Sequence, residues 1–235
     1  MVPDAPERRI RSFVRREGRF TTAQREAWET LWSGRGLEPG EEPLDLARLF
    51  PGCDRFALEI GFGMGQSLAE LAAREPQTGF IGIEVHRPGV GKLLAAAEQA
   101  GLQNLRIVCE DAVPVLRRAI PEASLDLVML FFPDPWPKKR HHKRRLVQPD
   151  FVELVHRKLR PGGLFHLATD WEDYAQHMLE VLGAAPGWRN LAGPGAFSPR
   201  PDSRPHTRFE VRGERLGHLV RDLLFVREAV DIEAC

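Results

Sequence analysis

The stretch Glu59-Ile60-Gly61-Phe62-Gly63-Met64-Gly65 decides the fold. It follows a short apolar run, Phe56–Ile60, and precedes a helix candidate, Ser67–Arg74. Alternating glycines let a backbone turn tightly and approach a ligand with no Cβ in the way, and the next helix offers free N–H groups. Gly61, Gly63 and Gly65 therefore mark a strand-to-helix turn suited to NAD, to S-adenosylmethionine, or to no ligand at all.

Working outward, the alternation repeats. Phe80–Val85, Leu105–Val108, Leu125–Phe132 and Gly163–Ala168 are short and rich in Ile, Val, Leu or Phe, as strands buried on both faces are. Between and after them lie helix candidates at Gly89–Ala100, Val113–Ile120, Pro149–Leu159 and Trp171–Leu182. Pro149 suits a first helical turn, and Arg160-Pro161-Gly162-Gly163 stops the helix it opens. This rhythm predicts a Rossmann-like, doubly wound, mostly parallel α/β sheet of seven strands, with ligands at the strand C-termini. Leu219–Val226, with no helix after it, is expected to pair antiparallel near the sheet edge. Residues 1–50 read as a basic arm, a helix over Thr22–Trp32 capped by Thr21 or Thr22, and a Gly/Pro-rich connection to the domain at 51–235.

Composition narrows the function classes. Lys plus Arg and Asp plus Glu each number 33, so the net charge is zero, but the distribution is uneven. Lys138–Arg145 reads KKRHHKRR with no acid, Arg8–Arg19 carries six Arg against one Glu, and Arg200–Arg215 interleaves five Arg with three acids. Local charge of this kind points to a polyanion where the global balance does not. Cys53, Cys109 and Cys235 lie far apart with no CxxC spacing, and His141 and His142 are adjacent, so no metal site or disulfide framework is expected. The longest apolar stretch, Leu127–Phe132, is too short to cross a bilayer. The Arg-rich start lacks an apolar core, which argues against a secretory signal and for the cytoplasm.

Acids at strand ends sharpen the reading. Glu84 closes the second strand, where a carboxylate can accept both ribose hydroxyls of a nucleoside or stand solvated. Asp111 follows the third, where it can accept an adenine amino group, cap the next helix, or do both. After the fourth strand comes Phe131-Phe132-Pro133-Asp134-Pro135-Trp136-Pro137. The prolines stiffen this loop around Asp134, and Trp136 offers a face on which a base can stack; the alternative is a rigid structural turn.

Together EIGFGMG (59–65), GIEVH (82–86), EDAVPVL (110–116), FFPDPWPKKRHHKRRL (131–146), ATDW (168–171) and HTRFEVRG (206–213) resemble the bacterial tRNA (guanine-N7-)-methyltransferase family, a class I S-adenosylmethionine-dependent methyltransferase group. The opening RIRSFVRREGRFTTAQ (9–24) resembles that family's N-terminal segment. The glycine motif is shared by all class I methyltransferases, whereas the PDPW-plus-basic run, ATDW and TRFE are far more specific.

The resemblance implies a class I methyltransferase domain over 51–235 that binds S-adenosylmethionine, releases S-adenosylhomocysteine and forms 7-methylguanosine in the tRNA variable loop. Glu59, Gly61, Gly63, Gly65, Glu84, Asp111 and Asp134 would surround the cofactor, with Asp134 also catalytic. Lys138, Asp170, Thr207, Arg208, Phe209 and Glu210 would bind the guanosine. Either Asp134 or Asp170 can accept from the guanine edge. Pro137 and Arg208 depart from the residues common in relatives, and the second changes how the guanosine is held. No membrane and no obligate protein partner is implied, and monomer or homodimer are both open. An NAD-dependent oxidoreductase fits poorly, because Tyr174 is the only tyrosine and no Tyr-x-x-x-Lys occurs. A non-catalytic RNA-binding module needs neither the glycine turn nor the strand-end acids, and a methyltransferase acting on small molecules or proteins leaves KKRHHKRR unexplained.

Overall fold

The computed structural model describes Phe13, residues 19–206, Glu210 and residues 219–229. A single mixed sheet runs through these residues. Its strands are β1 (Gly36–Leu37), β2 (Arg55–Ile60), β3 (Thr78–Ile83), β4 (Leu105–Val108), β5 (Leu125–Phe131), β6 (Leu159–Thr169), β7 (Trp188–Asn190) and β8 (Arg221–Arg227). They lie in the order β1-β4-β3-β2-β5-β6-β8-β7. Pairing is parallel from β1 through β6, and β8 runs antiparallel to both β6 and β7.

The expected doubly wound sheet is therefore present, with eight strands rather than seven. The additional edge strand, β1, is two residues long and carries no periodicity that a sequence could reveal. β7, of three residues, is equally short. Seven α-helices flank the sheet among the described residues: α1 (Thr22–Arg35), α2 (Leu46–Leu49), α3 (Gln66–Arg74), α4 (Arg87–Gln99), α5 (Ala112–Arg118), α6 (Pro149–Lys158) and α7 (Glu172–Ala184).

Alternation along the strands divides the core into two layers. Leu58, Ile60, Ile81 and Ile83 meet Val115 of α5, Val155 of α6 and Met178 of α7. Ala57 and Phe80 point the other way, to Leu68 of α3 and Leu93 and Leu94 of α4. All six residues of β3 are buried, as a central parallel strand covered on both faces requires. Local chemistry sets the helix starts. Thr21 and Gln24 form a reciprocal capping box for α1, and Pro149 occupies the first turn of α6. α1 is tied to α4 and the turn after it: Arg35 pairs with Glu98 at 3.0 Å and donates to the Leu102 carbonyl.

Strand order reverses between β2 and β5. Connections from β2 lead through β3 to β4 on one side, while β5 and β6 lie on the other. The loops after β2 and β5 diverge there and leave a crevice at the strand C-termini.

Candidate active site

That crevice holds a cavity of about 560 Å³, whose lining includes Gly61, Gly63, Glu84, Asp111, Asp134 and Trp136. The glycine loop forms its floor. Gly61, Gly63 and Gly65 have φ of 74°, 59° and 72°, the left-handed region that disfavours side chains. At Gly65 a Cβ would also lie 2.7 Å from the Cβ of Leu93. Gly89 on α4 completes the packing, because a Cβ there would meet the carbonyl oxygen of Gly63. Gly89 was not among the expected site residues; its signal is the Pro88-Gly89 pair in the first turn of a helix beside a glycine loop.

Glu84 holds this floor in shape. One carboxylate oxygen accepts from the Gly63 N–H at 2.8 Å, and the other from the Val85 and His86 N–H groups at 2.6 and 2.9 Å. Asp111 caps α5 by accepting from the Val113 N–H at 3.1 Å while it lines the cavity. Glu59 sits differently. It is 2% exposed, lies beneath the loop, and is not part of the cavity wall. Ser67 donates to one of its oxygens at 3.4 Å, and the other oxygen has no hydrogen-bond partner. Burial, reinforced by the charge of Glu84 and only partly offset by Ser67, pushes its pKa up to about 8.

The opposite wall is the loop after β5. Phe132 and Trp136 have φ of 51° and 46°, left-handed values rare in non-glycine residues, and they bracket Asp134 at the cavity rim. The Phe132 N–H donates to the Ala168 carbonyl at 2.7 Å, which ties this loop to β6, so Asp170 follows on the adjacent strand end. Asp170 is half-buried and is not among the residues lining the cavity. The Arg144 guanidinium lies 3.8 Å from the Trp136 ring centroid, so one face of the expected base platform already carries a cation in this structure. Phe13, an apolar residue inside the Arg-rich segment, also lines the cavity and was not expected to do so.

Lys138 is exposed and precedes a 3-10 helix, Lys139–Arg144, that has no buried residue. Most of the basic run therefore faces solvent, but Arg145 turns inward with its side chain 1% exposed. Glu210 is buried as well. Arg204 grips its carboxylate through two nitrogens at 2.9 and 2.8 Å, and Arg200 donates to it at 2.9 Å. Arg204 also donates to Asp222 at 3.0 Å, and Asp222 lies 2.7 Å from a ring nitrogen of His166. The substrate role expected of Glu210 thus falls on a carboxylate held by arginines in this structure, which three acids in an Arg-rich segment did not disclose. Thr207, Arg208 and Phe209 lie outside the described residues, as does most of the arm over 8–19. Among the described residues no group of three His, Cys, Asp or Glu is arranged to hold a metal, and no helix is long and apolar enough to cross a membrane.

The family model described as "Putative methyltransferase" matches residues 54–223. The chain is 60% identical over 222 residues to the tRNA (guanine-N(7)-)-methyltransferase of Alcanivorax borkumensis, covering 94% of this chain and 93% of that one. It is 58% identical over 221 residues to the protein of the same name from Yersinia enterocolitica, covering 94% and 92%. Among solved structures, the 16S rRNA methyltransferase KamB superposes with a TM-score of 0.60 at 17% identity, over 80% of this chain and 95% of that one. That last likeness is one of fold.

Proposed function

The chain belongs to the tRNA (guanine-N(7)-)-methyltransferase family, and on that premise we propose that it carries a methyl group from S-adenosylmethionine to N7 of a guanine in the variable loop of tRNA. The observation that carries the proposal is the cavity at the strand-order reversal, with the glycine floor and Glu84 on one wall and the Asp134 loop on the other. Its volume falls within the range of ligand sites, roughly 300–1,000 Å³.

The residues present fit the cofactor. Glu84 would accept from ribose hydroxyls and Asp111 from an adenine amino group. The buried carboxyl of Glu59 lies beneath the loop with its proton retained, and a cationic ligand bound above it would favour the ionised form. S-adenosylmethionine supplies an electrophilic methyl group on a sulfonium. Guanine N7 carries a free lone pair, so the chain need not remove a proton before attack. Its task is alignment, which can contribute several kcal/mol of barrier reduction. Attack leaves positive charge on the purine, and a carboxylate at the cavity rim favours that change. Asp134 lines the cavity and Asp170 does not, which supports Asp134 at the reacting centre and Asp170 at the guanine edge.

Lys138 and the outward part of the 139–144 helix would run along the RNA backbone, with Thr207, Arg208 and Phe209 binding the guanosine. Residues 1–50 would serve as an arm and helix for the domain at 51–235, in the cytoplasm where tRNA is found. The test is methyl incorporation from labelled S-adenosylmethionine into unmodified tRNA transcripts, followed by nucleoside analysis. A labelled 7-methylguanosine peak is expected. Cofactor binding without any labelled nucleoside would overturn the substrate, and absence of cofactor binding would overturn the reading altogether.

A further inference from the structure

Arg145 closes the basic run, and sequence alone groups it with the phosphate contacts. Its surroundings are not those of a phosphate contact. The side chain is 1% exposed, its Nε–H donates to the Pro135 carbonyl at 2.9 Å, and a terminal nitrogen pairs with Asp173. The guanidinium carbon lies 4.8 Å from the ring centroid of Tyr174, which is itself fully buried. Asp173, mostly exposed on its other side, has its pKa held down first by the hydrogen bond from Arg145.

These contacts join two loops. Pro135 is the neighbour of Asp134, and Asp173 lies in the first turn of α7, three residues beyond Asp170. The loop around Asp134 contains Pro133, Pro135 and Pro137, which have no N–H to donate, and its left-handed Phe132 and Trp136 require support from outside. The Phe132 N–H holds one end to β6, and the Arg145 Nε–H holds the middle. A guanidinium satisfies a carbonyl, a carboxylate and an aromatic face together because its donors are fixed in one plane; an ammonium cannot.

We propose that Arg145 is a positioning residue for methyl transfer, which sets the Asp134 loop against the Asp170 strand end and makes no contact with RNA. The proposal rests on the function proposed above. It is tested on the full chain with Arg145→Lys, Asp173→Asn and Lys143→Ala beside wild type. The readouts are kcat, KM for tRNA, cofactor Kd by calorimetry, melting temperature, and the salt dependence of tRNA binding.

Arg145→Lys is expected to lower kcat by about 10- to 100-fold, the scale of a small misplacement of reacting groups, with cofactor Kd and salt slope at wild-type values. Asp173→Asn, which leaves the bond to Pro135, is expected to lower kcat less. Lys143→Ala, the benchmark for an exposed phosphate contact, is expected to raise KM for tRNA and reduce the salt slope by about one. The proposal is overturned if Arg145→Lys behaves like Lys143→Ala. It is equally overturned if its kcat per folded molecule equals that of wild type. Should Arg145→Lys fail to fold, Asp173→Asn decides, and a kcat equal to wild type overturns the proposal. A wild type that forms no 7-methylguanosine overturns the function itself, which keeps the two failures apart.

Discussion

Gly89, in the first turn of α4, faces the glycine loop so closely that a Cβ on it would lie 1.9 Å from the carbonyl oxygen of Gly63. Backbone rather than a flexible side chain fills that space, so an added methyl group displaces the loop or the helix. Gly89→Ala is expected to weaken S-adenosylmethionine binding at least about tenfold through the moved Gly63 peptide, an effect of about 1.4 kcal/mol or more. Titration calorimetry checks it, and an unchanged Kd would mean that the loop tolerates the shift.

Asp134 is expected to act after binding. Asp134→Ala should leave cofactor affinity within a few-fold of wild type and remove methyl transfer, since the lost charge matters as the purine becomes cationic. Single-turnover transfer with both ligands saturating is the measurement. Turnover near that of wild type would exclude Asp134 as the group that stabilises the reaction.

The raised pKa of Glu59, about 8 against an ordinary value of 4.5, makes stability depend on pH. Between those values the folded chain keeps a proton that the unfolded chain has released, so stability falls as pH rises through this window and levels off above about 8. Glu59→Gln is neutral throughout and should lose less stability than wild type between about pH 5 and about pH 8.5. Urea midpoints at the two pH values decide the matter; equal losses in both chains would show that Glu59 does not carry the effect.

Arg204 is fully buried between Glu210 and Asp222. Arg204→Met leaves two buried carboxylates without their main cation, for which a loss of about 3–5 kcal/mol is expected. Adding Glu210→Gln and Asp222→Asn should restore part of it, because the penalty arises from uncompensated charge. Chemical denaturation of the single and triple variants measures both. No recovery in the triple variant would point to packing around the arginine as the cause.

Much of this architecture is legible before folding. Runs such as Phe56–Ile60 and Leu105–Val108 announce buried parallel strands, and strand-end acids such as Glu84 and Asp111 can be read from their offsets to those runs. Asp111 turned out both to cap its helix and to line the cavity, as its position allowed. What stays hidden depends on long-range packing. Nothing in KKRHHKRR separates Arg145 from its neighbours, because its inward turn is set by a carbonyl and a carboxylate on other elements. Glu210 presents the same difficulty, since Arg200 and Arg204 close onto its carboxylate in the folded chain, where Asp222 of β8 joins the cluster. Glu59 carries the signature of a cofactor ligand, yet it lies under the loop rather than in the cavity wall.

The antiparallel β8 has a consequence for the order of synthesis. Among the described residues β7 pairs only with β8, and β6 borders β8 on the side away from β5. While the chain emerges from a ribosome, β6 presents an unpaired edge and β7 has no strand to pair with until residues 221–227 arrive, a state in which strand edges are prone to join other chains. Asp222 arrives with them and closes onto Arg204 and His166. Strand insertion and completion of the ion cluster around Arg204, which Glu210 already partners, thus coincide, and a nascent chain halted before residues 221–227 retains an open sheet.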